Sequence, residues 1–411
     1  MFTIQTNEEL ITQQKFELSN AIEGSVNIFE NSLGEQLKQQ AKAFYSNYLE
    51  ILNILKLIHE RKNIETISVE VAPKALDFRS IAIDGSSNRG SRAGIDLVLA
   101  SAAAINFQLN DPLPKHPLVV SRCIPLIGLS SEAVDVVEYV CRQYLERLVS
   151  LKALQEFEND IFLGDGPILP QGSFYPNTRS RNQLLSGEVI NECNSLFRQT
   201  YGSQGIADQL VNRLINHKHA FVVKRIKSTD FITEEIGEIE ELKSIYGSLN
   251  DQTYLDLVLP VSSNEEFFIT PPKRSSLWKK ITSNKLFGTS YSRFISEMYY
   301  FYFKPKQNAL PIRVEVHKNI IQDSELLSEV ISTLYFQANP ENNIPWPLEF
   351  AHANCLLENP LARILIDEFI VQIIKEAKSE GLPLKRLLVL FKNSHGNERF
   401  WKNNWRSQRK L

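Results

Sequence analysis

The chain is short of the residues that mark several specialised protein classes. Its four cysteines in 411 residues, Cys123, Cys141, Cys193 and Cys355, stand far apart with no Cys-x-x-Cys pair. Neither a disulfide framework nor a zinc ribbon is indicated, and all four read as reduced core residues. No stretch approaches the ~18 consecutive apolar residues of a membrane helix. The polar, acidic start Met1-Phe2-Thr3-Ile4-Gln5-Thr6-Asn7-Glu8-Glu9 is not a basic secretory leader. The expected location is therefore cytoplasmic, with no membrane partner. Internal repeats and low-complexity linkers are missing as well. So is an excess of one charge, because a formal net charge of -3 excludes a simple polycation.

What is present suits a globular protein with a large core, since 43% of residues are hydrophobic and 10% aromatic. The charge is unevenly spread. Residues 234 to 241 hold Glu234, Glu235, Glu238, Glu240 and Glu241, whereas residues 267 to 296 hold Lys273, Arg274, Lys279, Lys280, Lys285 and Arg293 with no acid. Trp278, Phe287 and Tyr291 fall among these bases. The last twenty residues are also basic, with Trp401 and Trp405 between the charges. Two basic, aromatic stretches suggest an anionic partner. The plainer reading, in which the charges are solvated surface and the aromatics are core, stands beside it.

Periodicity divides the chain into an N-terminal helical region over 1–66, a mixed α/β region over 67–385 with an inserted helical and basic segment at about 226–296, and a basic, Trp-containing tail over 386–411. Residues 7 to 62 lack proline and space their apolar residues by three and four, as helices do. Strands are expected at Ser80–Asp84, Gly94–Ile105, Leu118–Ile124, Ile161–Asp165, Ala220–Arg225, Tyr299–Phe303 and Ile312–Val316. Helices are expected at Ser131–Asn159, with Ser131 and Glu132 as the opening signal, and at Glu188–Asn216, Asp251–Leu259 and Ala351–Glu380.

The chemistry lies in two copies of one design. Ser80-Ile81-Ala82-Ile83-Asp84-Gly85 and Asp160-Ile161-Phe162-Leu163-Gly164-Asp165-Gly166 each carry an apolar run to an aspartate followed by glycine. Asp-Gly alone is a common hairpin turn. Two such strand ends side by side would instead hold two carboxylates a few ångströms apart, an arrangement that binds a divalent cation. Such an ion needs further oxygen or imidazole ligands. Glu146, on the helix nineteen residues before Asp165, is one candidate; its bland alternative is a surface glutamate paired with Arg142 or Lys152. His352, in Pro345-Trp346-Pro347-Leu348-Glu349-Phe350-Ala351-His352, is another, expected at the opening of the last long helix with apolar neighbours turning it inward. Its alternative is a helix-end histidine bonded to backbone. An imidazole in the set would favour Mn²⁺ over Mg²⁺.

The order of an apolar strand with Asp-Gly-Ser, a glutamate-bearing helix, a second strand with Asp-Gly, the Phe221-Val222-Val223-Lys224-Arg225 strand and a late histidine beside a Pro-x-Pro segment resembles the NurA nucleases over about residues 75 to 380. The resemblance implies an α/β, ribonuclease H-like mixed sheet flanked by helices. It implies a Mn²⁺- or Mg²⁺-dependent deoxyribonuclease that cuts single-stranded DNA internally and from the 5′ end. It also implies a homodimer that works with a HerA-type hexameric ATPase in DNA end processing. Asp84, Glu146, Asp165 and His352 then correspond to the metal and catalytic set, and Lys224 to a lysine at the end of a core strand that faces phosphate. Lys273, Arg274, Trp278, Lys279, Lys280, Tyr291 and Arg293 become candidates for DNA contact. The second motif departs from the family's usual Asp-Gly-Ser-Leu, reading Asp165-Gly166-Pro167-Ile168. Trp401 and Trp405, spaced to share a helix face, fit DNA binding, ATPase docking or a dimer contact equally.

Two further readings compete. A non-catalytic adaptor that keeps the fold would be marked by loss of a metal aspartate, and none is lost. An actin-like kinase would carry a late glycine cluster for nucleotide, whereas residues 300 to 411 hold only Gly381 and Gly396.

Overall fold

The structure, a computed structural model, describes residues 34–46, 48–50, 53, 64–92, 95–111, 117–170, 175, 185, 187–224, 226, 228–236, 250–274, 278 and 286–381. The chain divides into two compact units. The smaller comprises Met1–Asn63 and Phe231–Leu249. In it residues 34–46 and 48–50 are helical, and the Phe44 and Tyr48 rings stack at 6.5 Å. The basic tail, with Trp401 and Trp405, lies outside the described residues.

The larger unit is built on nine strands: β1 (Ile67–Glu70), β2 (Arg79–Arg92), β3 (Ile95–Gln108), β4 (Leu118–Ile127), β5 (Ile161–Asp165), β6 (Lys218–Val223), β7 (Glu266–Ile269), β8 (Met298–Phe303) and β9 (Ile312–His317). They lie in the order β1-β7-β8-β9-β6-β5-β2-β3-β4. Pairing is parallel for β2 with β5 and for β5 with β6, and antiparallel elsewhere. The run β4-β3-β2-β5-β6, an antiparallel meander continued by two parallel strands, is the ribonuclease H-like arrangement expected from the sequence. The central strands are covered on both faces, which is why they read as unbroken apolar runs. Ile81, Ala82, Ile161, Leu163, Ala220 and Val222 are all fully buried.

Helices close the two faces. Among them are α1 (Ser131–Glu156), α2 (Gly187–Tyr201), α3 (Ile206–Leu214), α4 (Asp251–Val258), α5 (Thr289–Ser296), α6 (Ser324–Phe336), α7 (Trp346–Cys355) and α8 (Asn359–Ser379). One face packs Ala82, Ile105, Leu163 and Val222 against Val330, Ile331 and Leu334 of α6 and Leu348 and Ala351 of α7.

Several boundaries differ from the expected ones, each for a local reason. Ser130, rather than Ser131, caps α1, its hydroxyl accepting from the Ala133 N–H. The helix expected over 188–216 is two helices, because Gly202 and Gly205 bracket Gln204 at φ 59°. The helix expected from Ala351 to Glu380 breaks at Leu356–Glu358. Pro360 would clash there with the carbonyl of residue 356 and can donate no N–H to it, so a new helix starts with the proline in its first turn. Strand β7 falls within the stretch expected to be an inserted helical and basic segment, yet it pairs with β1 and β8 in the main sheet.

Candidate active site

Asp84 does not sit at a strand end or on a turn, as the Asp-Gly pattern suggested. Strand β2 runs on to Arg92, paired with β3 throughout. What ends near Asp84 is its parallel neighbour: β5 pairs with β2 only from Ser80–Ile161 to Ile83–Gly164 and stops one residue later at Asp165. The Asp165-Gly166 pair is a true strand end, with Gly166 at φ 75° turning the chain away. Side chains alternate along a strand. Asp84, Asp165 and Lys224 each lie two residues beyond a member of the core under α6 and α7, namely Ala82, Leu163 and Val222, so all three face that side.

They meet there. The Asp84 and Asp165 carboxyls lie close enough for each to shift the titration of the other. Lys224 Nζ is 2.9 Å from Asp165 Oδ2 and 3.9 Å from Asp84 Oδ2. His352 Nδ1 donates to Asp84 Oδ2 at 2.8 Å, and the neighbouring Gly85 N–H donates to Asp84 Oδ1 at 2.7 Å. His352 lies in the last turn of the short α7 rather than at the start of a long helix, and its side chain is 51% exposed instead of turned inward among apolar neighbours. The break after α7 is tied to β2, since Leu357 donates its N–H to Ser86 Oγ and accepts from Asn88 Nδ2. That tether fixes His352 over Asp84.

Glu146 approaches from the opposite face. It projects from α1 into the space where a Cβ on Gly85 would stand, 2.5 Å from Glu146 Cγ and Oε1. Gly85 is therefore needed for this close approach and not for a turn. Glu146 is buried and feels the charge of Asp84, but its own contacts are Gln143 Nε2 at 2.7 Å and Arg142 Nε at 3.4 Å. Part of the bland reading, the Arg142 pair, thus holds, though the residue is not on the surface.

Residues that sequence reasoning passed over hold this acid in place. Gln143 Oε1 accepts from Tyr201 Oη at 2.8 Å and from Arg147 Nη2 at 3.3 Å, which fixes its amide. Arg147 also donates to the Ile168 carbonyl at 3.0 Å, and Tyr291 donates to the same oxygen at 2.8 Å. The loop after Asp165, where the motif departs from Ser-Leu, is thereby clamped to the helix that carries Glu146. Only the Gln143–Glu146 spacing of three on a helix was visible beforehand.

The electrostatics follow from burial and proximity. Burial pushes Asp165 up to about 7, the Asp84 charge adds to this, and Lys224 opposes it. Burial also acts upward on Asp84, but the His352 hydrogen bond and the Lys224 charge outweigh it and keep the group ionised. Asp84 in turn raises His352. Desolvation raises Glu146 despite the opposing charges of Arg142 and Arg147. Cys355, one turn from His352, has its thiol held protonated by burial beside Asp84, Glu146 and Asp165. Two acids this close, one held ionised and the other raised, form a natural place for a cation, and their hard oxygens suit Mn²⁺ or Mg²⁺.

The expected DNA contacts divide. Trp278 and Tyr291 are 3% and 1% exposed; Trp278 packs edge-on against Tyr300, and Tyr291 holds the Ile168 carbonyl. Neither is placed to stack on a base. Arg274 is exposed and bonds the Ser296 carbonyl, exposed Arg293 lies 3.9 Å from Glu297, and Lys273 bridges backbone to Tyr300. Lys279 and Lys280 lie outside the described residues.

A ribonuclease H-like sheet with acids gathered where a parallel strand ends beside its neighbour defines the class of protein. The sequence profile of the NurA domain matches residues 78–355. The chain belongs to the NurA domain family. No curated protein matches it. Among solved structures, it is similar to the NurA nuclease of Sulfolobus solfataricus, at 14% identity over 81% of this chain and 95% of that one, with a TM-score of 0.53. A NurA bound to dAMP and manganese is similar at 13% identity over 78% and 94%, with a TM-score of 0.42.

Proposed function

We propose that the chain is a metal-dependent nuclease that hydrolyses phosphodiester bonds in DNA. The observation that carries this reading is the Asp84–Asp165 pair, two carboxyls on adjacent parallel strands that converge on the Lys224 amine, its Nζ 2.9 Å from Asp165 and 3.9 Å from Asp84. Asp84, Asp165 and Glu146 would hold one or two Mn²⁺ or Mg²⁺ ions, with His352 as a further ligand or proton-transfer group. The bound cation would supply the positive charge that activates water and stabilises the strongly anionic transition state.

The protein's own groups do the rest. Lys224 is within reach of both carboxylates and is the cation placed to meet a phosphate oxygen. His352 engages Asp84 through Nδ1, which leaves Nε2 to carry a proton to the departing oxygen. Gln143 and Arg142 keep Glu146 oriented while it remains buried.

Family membership supports the finer reading: cutting of single-stranded DNA internally and from the 5′ end, as a cytoplasmic homodimer working with a HerA-type hexameric ATPase in DNA end processing. Arg274, Arg293 and Lys273, with Lys279 and Lys280, would guide the strand's phosphates. The test is to assay Asp84→Asn and Asp165→Asn separately on single-stranded DNA with Mn²⁺. Each is expected to lose about a thousandfold or more, the several kcal/mol that metal-assisted charge stabilisation supplies. Undiminished cutting by both would overturn the site. Copurification of a hexameric ATPase with the tagged chain tests the partnership.

A further inference from the structure

The last turn of α7 carries a donor that the proposed reaction does not use. His352 and Cys355 are three residues apart on the helix, so their side chains share a face. Cys355 is 1% exposed, and its thiol points back along the helix to the His352 carbonyl at 3.4 Å. One turn earlier, His352 Nδ1 meets Asp84 Oδ2 at 2.8 Å. The ligand atoms of Asp84, His352 and Cys355 all lie within 4.8 Å of one another, and among the described residues this is the one such trio of His, Cys, Asp and Glu donors. Asp165 and Glu146 are not part of it.

The chemistry of this trio differs from that of the aspartate pair. Two carboxylates attract a hard cation, for which sulfur is a poor ligand. Carboxylate, imidazole and thiolate together suit a borderline-soft cation that accepts four ligands without preferred directions, with water as the fourth. We propose that Asp84, His352 and Cys355 form a binding site for a thiophilic divalent cation of the zinc type. Binding breaks the Cys355 S–H bond, forms a sulfur–cation bond and releases the proton to solvent. His352 gives up the Nδ1 proton that it donates to Asp84, to solvent from the imidazolium or by a shift to Nε2 in the neutral ring, so that Nδ1 takes the cation while Nε2 carries the remaining ring proton. The half-exposed imidazole marks the side from which the ion enters.

Because Asp84 belongs to both donor sets, a zinc-type ion withdraws it from the hard-cation site and stops Mn²⁺-supported cleavage. This consequence rests on the proposed nuclease reading; the binding itself does not.

The test titrates the metal-free full-length protein with Co²⁺ and with Cd²⁺ and reads the thiolate-to-metal charge-transfer absorption. One band saturating at one equivalent is expected in the wild type and in Cys123→Ser, which removes the exposed thiol. It is expected to vanish in Cys355→Ser, and His352→Gln should weaken the affinity at least about tenfold. A wild-type protein without the band, or a band unchanged in Cys355→Ser, overturns the site. Cys355→Ala replaces the serine variant if the latter does not fold, and the ¹¹³Cd chemical shift of the wild type reports the sulfur ligand independently. Zn²⁺ half-inhibition, measured relative to each variant's own rate with Mn²⁺, should need at least about tenfold more metal in Cys355→Ser. If no DNA is cut at all, the nuclease reading fails while the absorption band still decides the site.

Discussion

A single hydrogen atom in place of a methyl group sets the shape of the acidic centre. Gly85 lets Glu146 reach β2 from the face opposite Asp84, and an added Cβ would overlap the Glu146 side chain. Gly85→Ala should therefore cost about 1–3 kcal/mol in urea unfolding, the usual penalty for overpacking. Adding Glu146→Ala should recover part of that loss, so that the double change is less than additive. Strict additivity would mean that the two groups do not compete for the space. Gln143 invites a second test. Gln143→Leu removes the donor to Glu146 and leaves the buried Tyr201 hydroxyl and the Arg147 guanidinium each short of a partner. Mn²⁺ affinity by calorimetry should fall about 10- to 100-fold, as for other groups that orient a ligand. Gln143→Glu, which keeps the acceptor for Tyr201 and Arg147 but places a second acid beside Glu146, should not restore it.

At the scale of elements, β6 and β9 are joined by a set of histidines that the fold keeps neutral. His219 is 1% exposed; its Nδ1 donates to the His217 carbonyl at 2.8 Å and its Nε2 accepts the His317 N–H at 3.2 Å, so both ring nitrogens are committed. Burial lowers its pKa from 6.5 to about 3, and burial lowers His217 and His317 as well. With the folded value below the unfolded one, the unfolded chain binds more protons between the two. The contribution is whole above pH 6.5 and is lost as the pH falls towards about 3. The slope from His219 alone is about 1.4 kcal/mol per pH unit. Urea midpoints measured from pH 6.5 down to about 5 should fall accordingly, and His219→Gln should flatten the curve by about that amount. An unchanged slope would show that His219 titrates alike in both states.

Across the whole molecule, the separation of buried aromatics from exposed bases makes opposing predictions for one stretch of sequence. Trp278→Ala should destabilise by about 3–5 kcal/mol in thermal or urea melts, since it empties a site beside Tyr300. Arg274→Ala and Arg293→Ala, at exposed positions, should leave melts nearly unchanged. Each should instead reduce the salt dependence of single-stranded DNA binding by about 0.7 in the log–log slope, as one phosphate contact does. Equal salt slopes for wild type and both arginine variants would remove this face from the DNA path.

The linear chain determined the strands around Asp84 and Asp165, the long helix bearing Glu146 and the family resemblance, because these depend on runs of apolar residues and on short motifs. Hydrophobic burial acts on every buried run alike, so such segments are legible without knowing their neighbours. The same reading mistook Asp84-Gly85 for a turn, extended the last helix through Pro360, and left Trp278 and Tyr291 as possible DNA contacts. Only the tertiary structure decided these. Where β5 stops beside β2, which face α1 and α7 cover, and which aromatic is buried depend on pairings between residues eighty to nearly three hundred positions apart, from Asp84 with Asp165 to Asp84 with His352. No local pattern encodes such a pairing. It was the sheet order that brought two acids and a lysine together, and the packing of α7 over β2 that added a histidine and a cysteine.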